Sequence, residues 1–364
     1  MFSAIDRNFM TRALRLARRG LFSTTPNPRV GCVLARDGTI VGEGWHRRAG
    51  EAHAEAHALE MAGANAKGAT AYVTLEPCSH HGRTPPCADA LIEAGVARVV
   101  AALRDPDPRV AGRGLAALSA AGIVTECGLM AAEAADLNVG FISRVTRGRP
   151  WVRLKLAASL DGKTALMNGK SQWITGPAAR RDGRRWRAQA CAILSGIGTV
   201  RADNPRLNVR DVRGVTAKRQ PLKVVVDARL ELSPEARVLA NGQLLVACAS
   251  ENGVNADALK RRGAELLCLP DGTGRVDLVA LMAELGRRGI NELHVEGGSR
   301  LSGAFLDAGL VDELLLYLAP CLIGNVARSL FDLPELTALD GARRLTIREV
   351  CQIGDDLRVL ARME

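Results

Sequence analysis

Phe9, Ala13, Leu14 and Ala17 recur at three- and four-residue spacing, which predicts an opening helix closed by Gly20. Thr25-Pro26-Asn27-Pro28 is a rigid turn. Behind it, 30–36 and 39–45 read as two strands joined by Asp37-Gly38 into a hairpin. A helix-like run begins at His53-Ala54-Glu55 and gives way to a strand ending in Glu76-Pro77-Cys78. Pro85-Pro86 pre-sets the start of a helix over 88–94. Strands at 97–103 and 123–127 then alternate with helices at 115–121 and 131–144, with Asp105-Pro106-Asp107-Pro108 as a loop. Such alternation implies a largely parallel sheet with helices on both faces, here with an antiparallel hairpin at its start.

Arg147-Gly148-Arg149-Pro150 breaks the pattern. It is short, polar and followed by a fresh strand at 151–158, so it is the expected boundary between domains 1–147 and 151–364. Beyond it, strands are predicted at 192–195, 222–227, 244–249, 265–269, 292–296 and 313–318, with helices between most of them. The tail, 344–362, reads as an antiparallel hairpin turning at Gly354-Asp355. The fold class is α/β in two domains.

Composition narrows the setting. A chain of 364 residues, 47% hydrophobic, is long enough for two cores. No apolar run is long enough to span a bilayer. Arg7, Arg12, Arg15, Arg18 and Arg19 are scattered through the N-terminus without a continuous apolar stretch, so no signal peptide is read. Nine dispersed cysteines point to a reducing, cytoplasmic compartment. The net charge of +10 suits either nucleic acid or phosphorylated small molecules. With aromatics at only 3% there are few platforms for stacking single strands, which favours phosphorylated small molecules.

The densest chemistry lies between His53 and Cys87. His53, Cys78 and Cys87 offer one imidazole and two thiols, a three-ligand set that leaves a fourth zinc position open for water. Glu55, two residues after His53, is not a ligand and is the candidate proton shuttle. The two side chains can share a pocket only in the first turn of a helix, where the sequence places them. His-x-Glu followed by Pro-Cys and a second Cys is similar to the pattern of zinc nucleobase deaminases. Eight residues separate Cys78 from Cys87 where that pattern has two, and the insert brings His80 and His81 as rival ligands. A thiol at a helix N-terminus is readily ionised, which selects Cys87. The alternative, a structural zinc knot or two unrelated core thiols, leaves His-x-Glu at a helix start without a purpose. Asn27, just before a strand, either points its amide at a base edge or satisfies its own turn. His46 reads as a surface histidine, with phosphate orientation as the alternative.

In the second half, Ser195-Gly196-Ile197-Gly198-Thr199 and Glu296-Gly297-Gly298-Ser299 each follow a strand. Glycine lets backbone N–H groups approach an anion. Either stretch alone reads as a tight turn; together they suggest a dinucleotide crevice. Arg180, Arg184 and Arg187 recur on one face of a helix over 178–190 that opens with Pro177. A solvated basic face is the ordinary reading of such a stripe, and only Arg187, with Arg210 from the next loop, is singled out to bind a phosphate.

With these residues in place the chain resembles the bifunctional deaminase–reductases of riboflavin biosynthesis over nearly its whole length. The resemblance is carried by Pro26-Asn27-Pro28-Arg29-Val30-Gly31, His53-Ala54-Glu55, the run from Glu76 to Cys87 with its long insert, Lys155-Leu156-Ala157-Ala158-Ser159-Leu160-Asp161-Gly162, Ser171-Gln172-Trp173-Ile174-Thr175 and Val295-Glu296-Gly297-Gly298. It implies an N-terminal cytidine-deaminase-like α/β/α sandwich and a C-terminal dihydrofolate-reductase-like α/β domain. It implies zinc at His53, Cys78 and Cys87, and NADPH at Ala157, Trp173, Thr199, Asp203 and the turn Gly298, Ser299, Arg300, Leu301, Ser302, Gly303. Substrate falls at Asn27, Ser171, Arg187, Leu207, Arg210 and Glu296, with Lys155 and Asp203 as candidates for proton delivery. The implied partner is a phosphoribosyl pyrimidine, with no nucleic acid and no membrane, and a homo-oligomer is expected. Two rivals stand beside this reading. One is a cytidine- or tRNA-type deaminase with an accessory nucleotide-binding domain; the other is a zinc-stabilised nucleotide-binding module without catalysis.

Overall fold

The computed structural model describes residues 2–79, 85–108, 110–210, 212 and 219–364, so His80 and His81 lie outside the described residues. The chain divides into two compact units, Met1–Gly148 and Arg149–Glu364.

The first unit runs α1 (Ala4–Ala17), β1 (Gly31–Arg36), β2 (Thr39–Trp45), α2 (Ala54–Ala62), β3 (Thr70–Val73), α3 (Cys87–Glu93), β4 (Arg98–Ala101), α4 (Arg113–Ala120), β5 (Val124–Cys127), α5 (Ala131–Leu137) and α6 (Val139–Arg147). Its strands form one sheet in the order β2-β1-β3-β4-β5. The hairpin and the β1–β3 pair are antiparallel; β3, β4 and β5 run parallel. Alternate strand residues serve opposite faces. Leu34, Val73 and Val99 join α2, α3 and α4 in one core, while Val33, Tyr72 and Val100 pack with α1 in another. Both faces are therefore dry, which is why these strands read as apolar runs. Ser3 and Asp6 close a capping box on α1.

Two features hold the elements that matter for the site. At Gly44 a Cβ would fall 2.4 Å from the Ala54 carbonyl oxygen, so glycine lets the first turn of α2 lie directly on β2. The single helix predicted over 131–144 is instead two, broken at Asn138. The Asn138 side chain accepts from the Arg29 N–H at 2.8 Å and donates to the Arg29 carbonyl at 3.0 Å. Tying down the loop before β1 outweighs one more turn of helix there. The strand expected to end at Cys78 stops at Val73, although Glu76 N–H still reaches the Leu103 carbonyl.

The second unit runs β6 (Trp151–Ser159), β7 (Lys163–Ala165), α7 (Pro177–Gln189), β8 (Ala192–Gly196), α8 (Ile197–Asp203), β9 (Leu222–Val226), β10 (Leu244–Cys248), α9 (Ala256–Arg261), β11 (Ala264–Cys268), α10 (Leu278–Arg287), β12 (Glu292–Val295), α11 (Ser299–Asp307), β13 (Glu313–Ala319), β14 (Arg328–Ser329), β15 (Leu345–Ile353) and β16 (Asp356–Met363). The main sheet has the order β11-β10-β9-β8-β12-β6-β13-β16-β15. It is parallel from β11 to β13, and β16 and β15 close it as the predicted antiparallel hairpin, turning with Gly354 at φ 67°. Leu154, Leu194 and Val224 fill one face; Ile193, Val225 and Val246 fill the other. Among the described residues no helix is long and apolar enough to cross a membrane.

Candidate active sites

In the first unit, His53 is the N-cap of α2 and Glu55 lies in its first turn, buried. Cys78 follows the carboxylate of Glu76, which accepts from the N–H groups of Asp105, Gly112, Gly114 and Leu115 at 2.9 to 3.2 Å. That carboxylate closes the N-terminus of α4 and fixes the Pro77 turn; a Cβ on Gly114 would lie 1.9 Å from the Pro77 carbonyl oxygen. Cys87 is the first residue of α3. His53 Nδ1 stands 3.3 Å from Cys87 Sγ and 3.6 Å from Cys78 Sγ, and all three ligand atoms lie within 4.8 Å of one another. Tetrahedral zinc with ordinary Zn–N and Zn–S bonds needs N···S separations of about 3.6 Å. The three donors fit that ion, and among the described residues they are the one such His/Cys/Asp/Glu group.

Ionisation follows from the contacts. The Cys78 thiol is pulled down, first by the Cys87 thiol donating to it and, against burial, by His53 and the Cys87 backbone N–H. Cys87 is pushed up by that same donation, by burial and by Glu55. The N-terminal N–H of α3 points at the Cys78 sulfur, so the helix end favours charge on Cys78. Burial raises Glu55 to about 7, with His53 opposing the rise. A carboxyl there exchanges a proton near neutral pH.

His46, read from sequence as a surface residue, is buried. Its Nδ1–H donates to the Ala52 carbonyl at 3.1 Å, so Nε2 accepts from Asn27 Nδ2 at 3.1 Å. Its ring meets His53 edge-on, with centroids 5.2 Å apart. Asn27 thus spends its amide on His46 and not on its own turn, and its Oδ1 is left as an acceptor. No periodicity marked His46, because its burial comes from the loop ahead of α2.

The second unit holds a cleft of about 1480 Å³. Ala157, Trp173, Thr199, Asp203, Gly298, Ser299, Arg300, Leu301 and Gly303 line it, with Ser171, Glu296 and Lys155. Ser302 does not; it is buried on the inward face of α11. Leu207 packs in the core and Arg210 is exposed outside the lining. Gly298 is the N-cap of α11 with no side-chain cap, so first-turn N–H groups face the cleft. That open helix end, behind two glycines, suits the pyrophosphate of a dinucleotide. Asp203 Oδ1 accepts from Gln172 Nε2 at 3.2 Å.

Arg187, which is not among the lining residues, holds the cleft residue Glu296 with two bonds, Nε to Oε1 at 2.6 Å and Nη2 to Oε2 at 2.5 Å. Burial opposes the charge on Glu296, but Arg187, Lys155 and His294 outweigh it and hold the carboxyl well below its usual range. Burial lowers Lys155, against the pull of Glu296. The sequence placed Arg187 and Glu296 near one ligand but not against each other; Glu296 follows the central strand β12, which α7 crosses.

Family models match within each unit. The model of the cytidine and deoxycytidylate deaminase zinc-binding region matches residues 3–103, and that of the RibD C-terminal domain matches residues 150–359. The riboflavin biosynthesis protein RibD of Escherichia coli strain K12 is 51% identical over 362 residues, covering 97% of this chain and 98% of that protein. RibD of Haemophilus influenzae is 48% identical, covering 98% and 97%. The solved structure of Acinetobacter baumannii RibD superposes with a TM-score of 0.92 at 42% identity over 99% of both chains. A diaminohydroxyphosphoribosylaminopyrimidine deaminase/5-amino-6-(5-phosphoribosylamino)uracil reductase from Thermotoga maritima does so at 0.88 and 34%, again over 99% of both. These likenesses span both units, which removes the reading as a cytidine- or tRNA-type deaminase with an accessory domain. The chain belongs to the RibD family, the bifunctional deaminase–reductases of riboflavin biosynthesis that work with zinc and NADPH.

Proposed function

We propose that residues 1–147 hydrolyse the 2-amino group of 2,5-diamino-6-(5-phosphoribosylamino)pyrimidin-4-one, and that residues 151–364 reduce the ribosyl side chain of the product to ribityl phosphate. The name of the Thermotoga maritima relative supports this pair of substrates. His53, Cys78 and Cys87 hold zinc, which when bound acidifies a water for attack on the ring carbon. Glu55 takes the proton from that water and delivers it to the ring nitrogen, and a second transfer releases ammonia. Its pKa of about 7 suits both directions of transfer. Asn27, its amide fixed by His46, presents Oδ1 to a pyrimidine N–H. The observation that carries the reading is a buried carboxyl beside one imidazole and two thiols at zinc-ligand spacing.

In the second unit the uncapped start of α11, with Ala157, Trp173, Thr199 and Asp203, would hold the cofactor. NADPH supplies hydride when bound; the residues of the chain orient it and move the proton. Glu296 and Arg187, with Ser171, take the substrate, and Lys155 stands beside Glu296 as the candidate proton donor, with Asp203 as the alternative. The edge strand β15, with Ile347 and Val350 more than half exposed, supports a homo-oligomer.

The test is Glu55→Gln with ammonia release and bound zinc measured together. Ammonia release should be nearly abolished while zinc stays stoichiometric. Turnover retained in that variant would overturn the deaminase reading.

A further inference from the structure

Glu292, His294 and Glu296 alternate along β12 and onward, so they point to one face of the sheet. His294 is fully buried, in register with Arg153 on β6 and Ile193 on β8. Its Nε2 lies 3.0 Å from Glu296 Oε1, and its Nδ1 has no hydrogen-bond partner. An aliphatic residue would fill this place in a parallel sheet without stranding a ring nitrogen. The ring is therefore matched to the carboxylate, not to the core.

The tautomer follows from the partners. Glu296 is held ionised by Arg187 and Lys155, so it only accepts, and Nε2 must carry the proton. A carboxylate has about four acceptor positions. On Glu296, Oε1 takes His294 Nε2 and Arg187 Nε, and Oε2 takes Arg187 Nη2. One acceptor position is left, on Oε2, in a residue that lines the cleft. The backbone is pinned as well: Glu296 N–H donates to the Leu194 carbonyl at 2.8 Å, and the Glu296 carbonyl accepts from Ser195 Oγ at 2.7 Å.

We propose that His294 is a positioning residue of the reductase. By saturating Oε1 it leaves a single acceptor, on Oε2, to take a hydroxyl of the sugar chain. As a neutral ring it does so without adding charge beside Arg153, Lys155 and Arg187. The inference rests on the reading that Glu296 contacts substrate.

The experiment compares full-length wild type with His294→Leu, His294→Gln and Glu296→Gln. It measures the KM and kcat of NADPH oxidation with the deaminated phosphoribosylaminouracil, and NADPH affinity by fluorescence titration. His294→Leu should raise KM about tenfold, the size expected for loss of one hydrogen bond to a charged group, with a smaller change in kcat and unchanged NADPH affinity. His294→Gln keeps an N–H donor and should recover most of that loss. A KM within about twofold of wild type in His294→Leu, less than the loss of a single hydrogen bond, would overturn the proposal. Equal damage in the Leu and Gln variants with NADPH binding lost would also overturn it, because that marks a defect of the sheet. If Glu296→Gln leaves KM unchanged, the substrate reading of Glu296 has failed; if it raises KM while His294→Leu does not, only the positioning role has failed.

Discussion

The two sites are built on opposite plans. The zinc site is assembled within 35 residues, from the start of α2 to the start of α3, and its parts are buried or half-buried and closely spaced. The reductase site is an open cleft whose parts come from β6, α7, α8, the end of β12 and α11. A compact site concentrates its chemistry in one carboxyl and three ligands, so single changes there should be close to all-or-none. A distributed cleft spreads binding over many weak contacts, so single changes should appear mainly in KM.

The largest effect should break the first site alone. Glu55→Gln removes the proton shuttle and should lower ammonia release by about 10²–10⁴-fold, while NADPH oxidation with the deaminated intermediate stays at the wild-type level. A parallel loss in both assays would erase the contrast between the sites. Removing zinc with a chelator should give the same split, with deamination restored on adding zinc back.

Breaking the Arg187–Glu296 pair should come next. Arg187→Ala leaves the half-buried Glu296 without its bidentate partner but with His294 and Lys155 beside it, a loss of about 1–3 kcal/mol. Melting of the second unit should fall and the KM for substrate should rise, with ammonia release retained. Gly44→Ala is the matching test of scaffold in the first unit. Its Cβ meets the Ala54 carbonyl oxygen at 2.4 Å, so α2 must shift, costing about 1–3 kcal/mol. Deamination should drop without loss of NADPH oxidation.

The smallest effect is electrostatic. Arg98 holds Asp6 well below its ordinary 3.8, helped by Ser3 and Tyr72 and opposed by burial. A lowered carboxyl stabilises the fold above about pH 4 and loses that contribution as pH falls toward its native value. Thermal melts of wild type should weaken below about pH 4, and Asp6→Asn should flatten that acid limb.

How much was readable in the sequence follows the same division. His53, Glu55, Cys78 and Cys87 are close in the chain, and helix starts and prolines set their geometry. What was not readable is that the first N–H of α3 faces the Cys78 sulfur. His46 was missed because a loop buries it, and loops carry no period. Asn138 splits a helix through a side-chain bond to Arg29, 109 residues away. In the second unit the strands were legible from their apolar runs, which both covered faces produce. The contact of Arg187 with Glu296 was not, since no local pattern sets how α7 lies on β12. Ser302 and Leu207 are both buried, the first by helical phase and the second by the core around it, and no local pattern marked either burial.

X-ray absorption at the zinc edge of the purified enzyme tests the central claim most directly. One nitrogen at about 2.0–2.1 Å and two sulfurs at about 2.3 Å are expected, with one sulfur lost in Cys87→Ser. A zinc shell without sulfur, or one unchanged by that substitution, would contradict the account.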